Sequence, residues 1–221
     1  MIKKRLLLWF LVFGLTYVFA GALLDRVIFP EADPGSDYAP RPGQVFVSKG
    51  EGFRQTVLKR EGGLVWTELV LEPHAPGPPE HVHGSFPENF IVAEGTLSFL
   101  VNGEKKTLRP GESLSVPPGT PHKPFNETDS RVVVRGPLTP EYGLPEQFTV
   151  FLAQAYAFSD ESESNNRLPG VLLQMSRFGP KYDIWLASPP VLLQKTVFFV
   201  IGPTARLLGY RNHYEKYRPA G

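Results

Sequence analysis

Hydrophobic positions along the chain follow three different rhythms. Residues 6–24 run for nineteen positions without a charge, and no face of a helix drawn through them is polar. At 1.5 Å per residue that helix covers about 28 Å, close to the ~30 Å hydrocarbon thickness of a bilayer. From Gln44 to about Leu138 the period falls to two and the apolar runs are short. In residues 64–72, Val65, Thr67, Leu69 and Leu71 share one face while Trp66, Glu68, Val70 and Glu72 share the other. Further strands are expected over 90–93, 96–101, 113–116 and 131–135. Asn102-Gly103 is a two-residue hairpin turn whose residues must both take positive φ. Beyond Leu138 the spacing becomes helical. Phe148, Phe151, Leu152, Ala155 and Tyr156 predict a helix over 145–158, and the acidic stretch 159–166 reads as a solvated loop. A second helical stretch is expected over 189–210, with Gly202-Pro203 as a kink. Only ten uncharged residues separate Lys195 from Arg206, short of the ~20 that a span needs. Packing on the β-structure is the favoured placement, and lying at a membrane surface is the other, since Arg206, Arg211, Lys216 and Arg218 follow.

Composition narrows the picture. Twenty-three Lys and Arg against 22 Asp and Glu leave a net charge of +1, without the basic excess of a sequence-independent nucleic-acid binder. Cysteine is absent, so disulfides, thiolate metal sites and cysteine nucleophiles are excluded. Lys3, Lys4 and Arg5 precede the charge-free run, and Asp25, Glu31, Asp33 and Asp37 follow it. The run is either a retained anchor or a signal peptide cleaved near Ala20, Gly21 and Ala22. Both readings leave the remainder in the periplasm or outside the cell. Pro30, Pro34, Pro40 and Pro42 mark a stiff tether. The expected organisation is thus an anchor or signal (1–24), a linker (25–43), a β-domain (44–140) and a C-terminal helical region (141–221).

Three of the five histidines fall in two tight groups. His81 and His83, two apart on a strand, point to the same face. Glu88 would arrive from the following turn or strand start, and His122 from another strand. Three imidazoles and a carboxylate form a mixed nitrogen and oxygen set that suits iron, manganese, nickel, cobalt, copper or zinc. His74, in a Pro-rich loop, and His213, in a basic tail, read as solvated.

The segment His81-Val82-His83-Gly84-Ser85-Phe86-Pro87-Glu88, with Gly95 seven positions after Glu88, resembles the first motif of the cupin superfamily. Gly111, Pro117, Gly119, His122 and Asn126 reproduce every position of the second. One departure is Ala75, where the family has a glycine; Gly77 is the nearest. The resemblance covers 75–126, and more widely about 44–140. It implies a mainly β fold, a double-stranded β-helix (jelly-roll barrel), here with an N-terminal membrane or signal helix and C-terminal α-helices. It also implies that His81, His83, Glu88 and His122 hold one mononuclear divalent transition metal, with Glu88 able to act as a base too. Gly95 and Gly119 are expected to supply positive φ or close backbone approach.

Four ligands leave a six-coordinate metal with positions for water or substrate. Such sites run dioxygenase-like chemistry with a redox-active metal and Lewis-acid chemistry with an inert one. Phe86, Phe90, Phe99 and Phe125 stand near the motifs, and no Arg or Lys cluster suggests a phosphate, so the expected small molecule is apolar or aromatic. Lys123 is expected to face outward. The leading expectation is a membrane-tethered, metal-dependent cupin enzyme, an oxygenase. The alternative is a non-catalytic binding or sensing module, which a C-terminal helix plugging the barrel would favour. A homodimer is a possible assembly.

Overall fold

A computed structural model describes residues 2–219. The charge-free run lies within α1 (Ile2–Ile28), which is long and apolar enough to cross a membrane by length and composition. The strands are β1 (Val45–Ser48), β2 (Phe53–Glu61), β3 (Leu64–Leu71), β4 (His81–His83), β5 (Glu88–Glu94), β6 (Leu97–Val101), β7 (Glu104–Leu108), β8 (Ser113–Val116), β9 (His122–Phe125), β10 (Val132–Val134), β11 (Leu144–Pro145) and β12 (Ile184–Leu186). Three more helices, α2 (Glu146–Glu161), α3 (Gly170–Tyr182) and α4 (Val191–Leu207), complete the fold.

All strand pairs are antiparallel. One sheet runs β1-β2-β3-β10-β5-β8, with β11 also on β3, and the other runs β12-β4-β9-β6-β7. This is the cupin-like barrel that the period-two rhythm and the motifs lead one to expect. Between the sheets lie Leu71, Val92, Leu97, Phe99, Val116 and Val132, all essentially excluded from water. Each contributes about 1.5–3 kcal/mol by burial. The β6–β7 hairpin turns at Asn102 (φ 51°) and Gly103 (φ 77°), with Val101 opposite Glu104. Trp66, on the outward face of β3, is nonetheless buried. The segment just before β11 folds over it, and its indole N–H donates to the Thr139 carbonyl at 2.8 Å.

The C-terminal region departs most from expectation. Helix α2 runs on to Glu161, and the acidic stretch beyond it is ordered: Asn165 and Asn166 side chains donate to the Phe158 and Ser159 carbonyls at 2.6 and 2.9 Å. They satisfy acceptors that the helix end leaves free. Helix α3 and strand β12 are additions to the expected elements. Helix α4 continues through Pro203 and packs on α3, α1 and β12, where Phe198 stacks on Trp185 at 6.0 Å. It therefore sits on the barrel's edge strand and the helices, with Leu192, Leu207 and Leu208 left exposed.

Nor does the Pro-rich segment after α1 hang free. Glu31 pairs with the buried Arg177 at 2.6 Å and with Arg206 at 3.1 Å, and Asp25 meets Arg206 at 3.3 Å. Tyr38 and Ala39 are buried in a second apolar core with Phe148, Phe151, Phe178, Tyr182 and Ile184. His213, expected in solvent, packs edge-on against Tyr38 at 4.8 Å; burial lowers its affinity for a proton. His74 is exposed as expected, bonded to Asp129.

Candidate functional site

The four residues grouped by spacing converge. His81 and His83 stand on β4, Glu88 opens β5 and His122 opens β9 directly across from His81. One ligand atom from each lies within 4.8 Å of all the others. The Nε2 atoms of His83 and His122 approach the same oxygen of Glu88, Oε2, at 3.2 and 2.9 Å. Each ring turns its other nitrogen to a backbone carbonyl: His81 Nδ1 to Pro79 at 3.0 Å, His83 Nδ1 to Phe86 at 2.9 Å and His122 Nδ1 to Thr120 at 2.8 Å.

A carbonyl only accepts, so each Nδ1 carries the hydrogen, and the neutral rings present Nε2 lone pairs inward. Lone pairs facing a carboxylate oxygen need positive charge between them, from a proton or a metal ion. Ligands about 2.1 Å from a metal stand about 3.0 Å apart when cis at a right angle, close to the two contacts here. The donor set and its spacing thus fit a divalent ion.

The titration directions follow from the same contacts. Burial pushes His81 down to about 4, helped by His122. Burial alone would raise Glu88 and lower His122. Their mutual hydrogen bond and charge reverse both, leaving Glu88 well below the usual carboxylate range and His122 above the ordinary imidazole value.

Beside the cluster opens a cavity of about 680 Å³, which His81 and Glu88 line. That volume is in the range of small-molecule sites. Another wall comes from α2 and α3, through Phe148, Phe151, Phe158 and Phe178, so the C-terminal helices extend the cavity and do not plug it. No Lys or Arg is among the described residues lining it. Phe86 lies flat on the His83 ring, centroids 4.1 Å apart and planes 2° apart. Ring contacts continue through Phe148 and Phe151 to Phe178. Phe90 and Phe99 pack edge to face in the barrel, and Phe125 is half-buried beneath Lys123. Three further polar residues that line the cavity, Glu51, Gln55 and Tyr156, were not read from the sequence as site residues, because they come from a turn, a strand and a helix with no shared spacing.

Behind the histidine cluster stands β12, whose Ile184 pairs with His83. Asp183 accepts from the Gly84 N–H at 2.8 Å and from the Trp185 indole at 2.9 Å. The Gln194 amide takes up the other edge of β12, accepting from Leu186 N–H and donating to its carbonyl. Strand β4 is thereby held from both sides.

Residues 67–136 match the cupin domain family. With the two antiparallel sheets and the paired motifs, this region is a cupin domain. Over 126 residues, 55% of this chain, it is 31% identical to "Probable oxidoreductase patJ" of Aspergillus clavatus and 30% identical to the protein of the same name from Penicillium expansum. The chain spans a third of the length of these relatives. Among solved structures it is similar to a cupin-superfamily sugar phosphate isomerase from Silicibacter pomeroyi, at 23% identity and a TM-score of 0.37, covering 48% of this chain and 72% of that one.

Proposed function

We propose that the protein is a metal-dependent cupin oxidoreductase, dioxygenase-like, acting on a small apolar or aromatic molecule. In this reading α1 holds it at a membrane with the barrel on the extracytoplasmic side. The observation that carries the reading is the convergence of three tautomer-locked imidazoles and Glu88 on one point at the wall of an open, largely apolar cavity. The oxidoreductase names of the two fungal relatives point the same way. His81, His83, Glu88 and His122 would hold one divalent transition metal. A redox-active ion there supplies electron-transfer and O₂ chemistry.

The chain's own residues do the rest. Pro79, Phe86 and Thr120 carbonyls keep the rings aimed, the phenylalanine wall excludes water and seats the substrate, and Glu88 serves as ligand and as proton acceptor at the cavity wall. The test is elemental analysis of the full chain in detergent, beside His81→Ala and His122→Ala. One transition metal per chain, lost in both variants and accompanied by metal-dependent O₂ uptake with an aromatic substrate, is the expected result. A parent that takes up no metal on reconstitution overturns the reading.

A further inference from the structure

The histidine strand is gripped by a residue that lies outside the matched cupin region. Asp183 closes α3 in a left-handed conformation (φ 54°) and leads straight into β12, whose first residue, Ile184, pairs with His83. One step beyond that pair the backbone ladder gives way to a side chain. Asp183 Oδ2 accepts from the Gly84 N–H at 2.8 Å, and Oδ1 accepts from the Trp185 indole at 2.9 Å. A Cβ on Gly84 would come 3.2 Å from Oδ2, so the glycine is what allows so close an approach. Trp185 is itself fixed, buried and stacked on Phe198. With an N–H on each oxygen, the carboxylate is held in one orientation by charge-assisted hydrogen bonds.

Gly84 opens the loop that aims His83. Two residues further on, Phe86 turns its carbonyl to His83 Nδ1 at 2.9 Å and lays its ring on the imidazole face. His83 is 1% exposed, and its inward Nε2 meets Glu88 at 3.2 Å. Where Phe86 stands therefore decides where the Nε2 lone pair points, and Gly84 ties that loop to the C-terminal region. We propose that Asp183 is a positioning residue for the metal centre: by holding Gly84 it sets the loop whose Phe86 carbonyl aims His83 at the ion. His81 and His122 are aimed by the carbonyls of Pro79 and Thr120, neither on this loop, so the effect falls on one ligand of the four. The metal part of this inference rests on the proposed function; the aim of the ring does not.

The test uses the full chain in detergent with nitrogen-15-labelled histidine. In the chelator-treated parent, His81, His83 and His122 are each expected to show a ring Nδ1–H resonance protected by its carbonyl, assigned through single His→Gln variants. Asp183→Ala should broaden or erase the His83 signal alone. Asp183→Asn keeps an acceptor oxygen for Gly84 and suits the left-handed backbone, so it should restore the signal, and it guards against a folding defect in the first variant. Cobalt(II) titration, read by visible absorption, should show binding about 10–100-fold weaker in Asp183→Ala, with shifted bands, and near the parent in Asp183→Asn. Naphthalene, read by its own fluorescence, should bind all three proteins alike, because the phenylalanine wall is untouched. An unchanged His83 signal or cobalt affinity in Asp183→Ala would overturn the proposal. So would equal loss at all three histidines, loss of naphthalene binding, or an Asn variant as defective as the Ala variant. A parent that takes up no cobalt, while its His83 signal still depends on Asp183, would strike the metal reading and leave the aim of the ring standing.

Discussion

The two ends of the cavity solve opposite problems. At the barrel end every inward nitrogen is aimed by a carbonyl behind it, and the four side chains come from strands locked in register. Where α2 and α3 face the cavity the wall is aromatic, built from Phe148, Phe151, Phe158 and Phe178. The first arrangement is complete except for positive charge, which suits a small ion. The second offers apolar ring surface, which suits a mostly apolar molecule. The four candidate ligands stand on paired strands, so the ion is placed by the scaffold while the organic ligand is placed by packing.

The sharpest way to break this contrast is His122→Ala. Metal content should fall from one per chain to about a tenth or less and turnover by about a thousandfold. Naphthalene binding should persist. Joint loss of both would mean that the two ends are one unit. Phe178→Ala attacks the other end. Phe178 is 2% exposed among Phe151, Phe158 and Tyr182, so its removal should cost about 3–5 kcal/mol. Thermal unfolding should register roughly 10 °C, with metal stoichiometry unchanged.

Glu51→Gln sharpens the contrast through pH. Burial pushes the Glu51 carboxyl up to about 7, against an opposing hydrogen bond from Tyr156. A raised carboxyl favours folding in its protonated form, so this stabilisation is full below about 4.5 and is lost as pH rises through about 7. At most about 3 kcal/mol is involved. Denaturant titrations across pH 4.5–8 should show a slope in the parent that Glu51→Gln flattens; identical profiles would remove Glu51 from the buried cluster.

The smallest effects sit at two barrel turns. At Gly95 (φ 80°) an added Cβ would lie 2.5 Å from the Arg131 carbonyl oxygen, whereas at Gly119 (φ 77°) it meets nothing within 4 Å. Gly119→Ala should therefore cost about 1 kcal/mol from backbone strain alone, and Gly95→Ala clearly more. Chemical denaturation of both variants reads the difference.

What could be read in advance divides along the same line. His81 and His83 were legible because a strand repeats every two residues, and the Asn102-Gly103 turn because few residues tolerate positive φ. Both are local rules. Nothing local announces β12, whose three residues pair with a strand about a hundred positions earlier. Helix α3 buries Gln174, Ser176 and Arg177 beside Phe178 and Tyr182, so its inward face does not read as apolar. The linker misled for a related reason: its prolines signal stiffness, but Glu31 pairs with Arg177, and Tyr38 packs with Phe148 and Phe151 and bonds to Glu215, all more than a hundred positions away.

That late pairing of β12 has a consequence for how the chain is made. When β4 emerges during synthesis, one side of it has β9 to come within some forty residues, while the other waits for Ile184. At about 5–20 residues per second, the histidine strand spends roughly 5–20 s as an open edge. Strand β12 thus acts as a latch, closing the strand that carries two of the four candidate ligands only after α2 and α3 have been made.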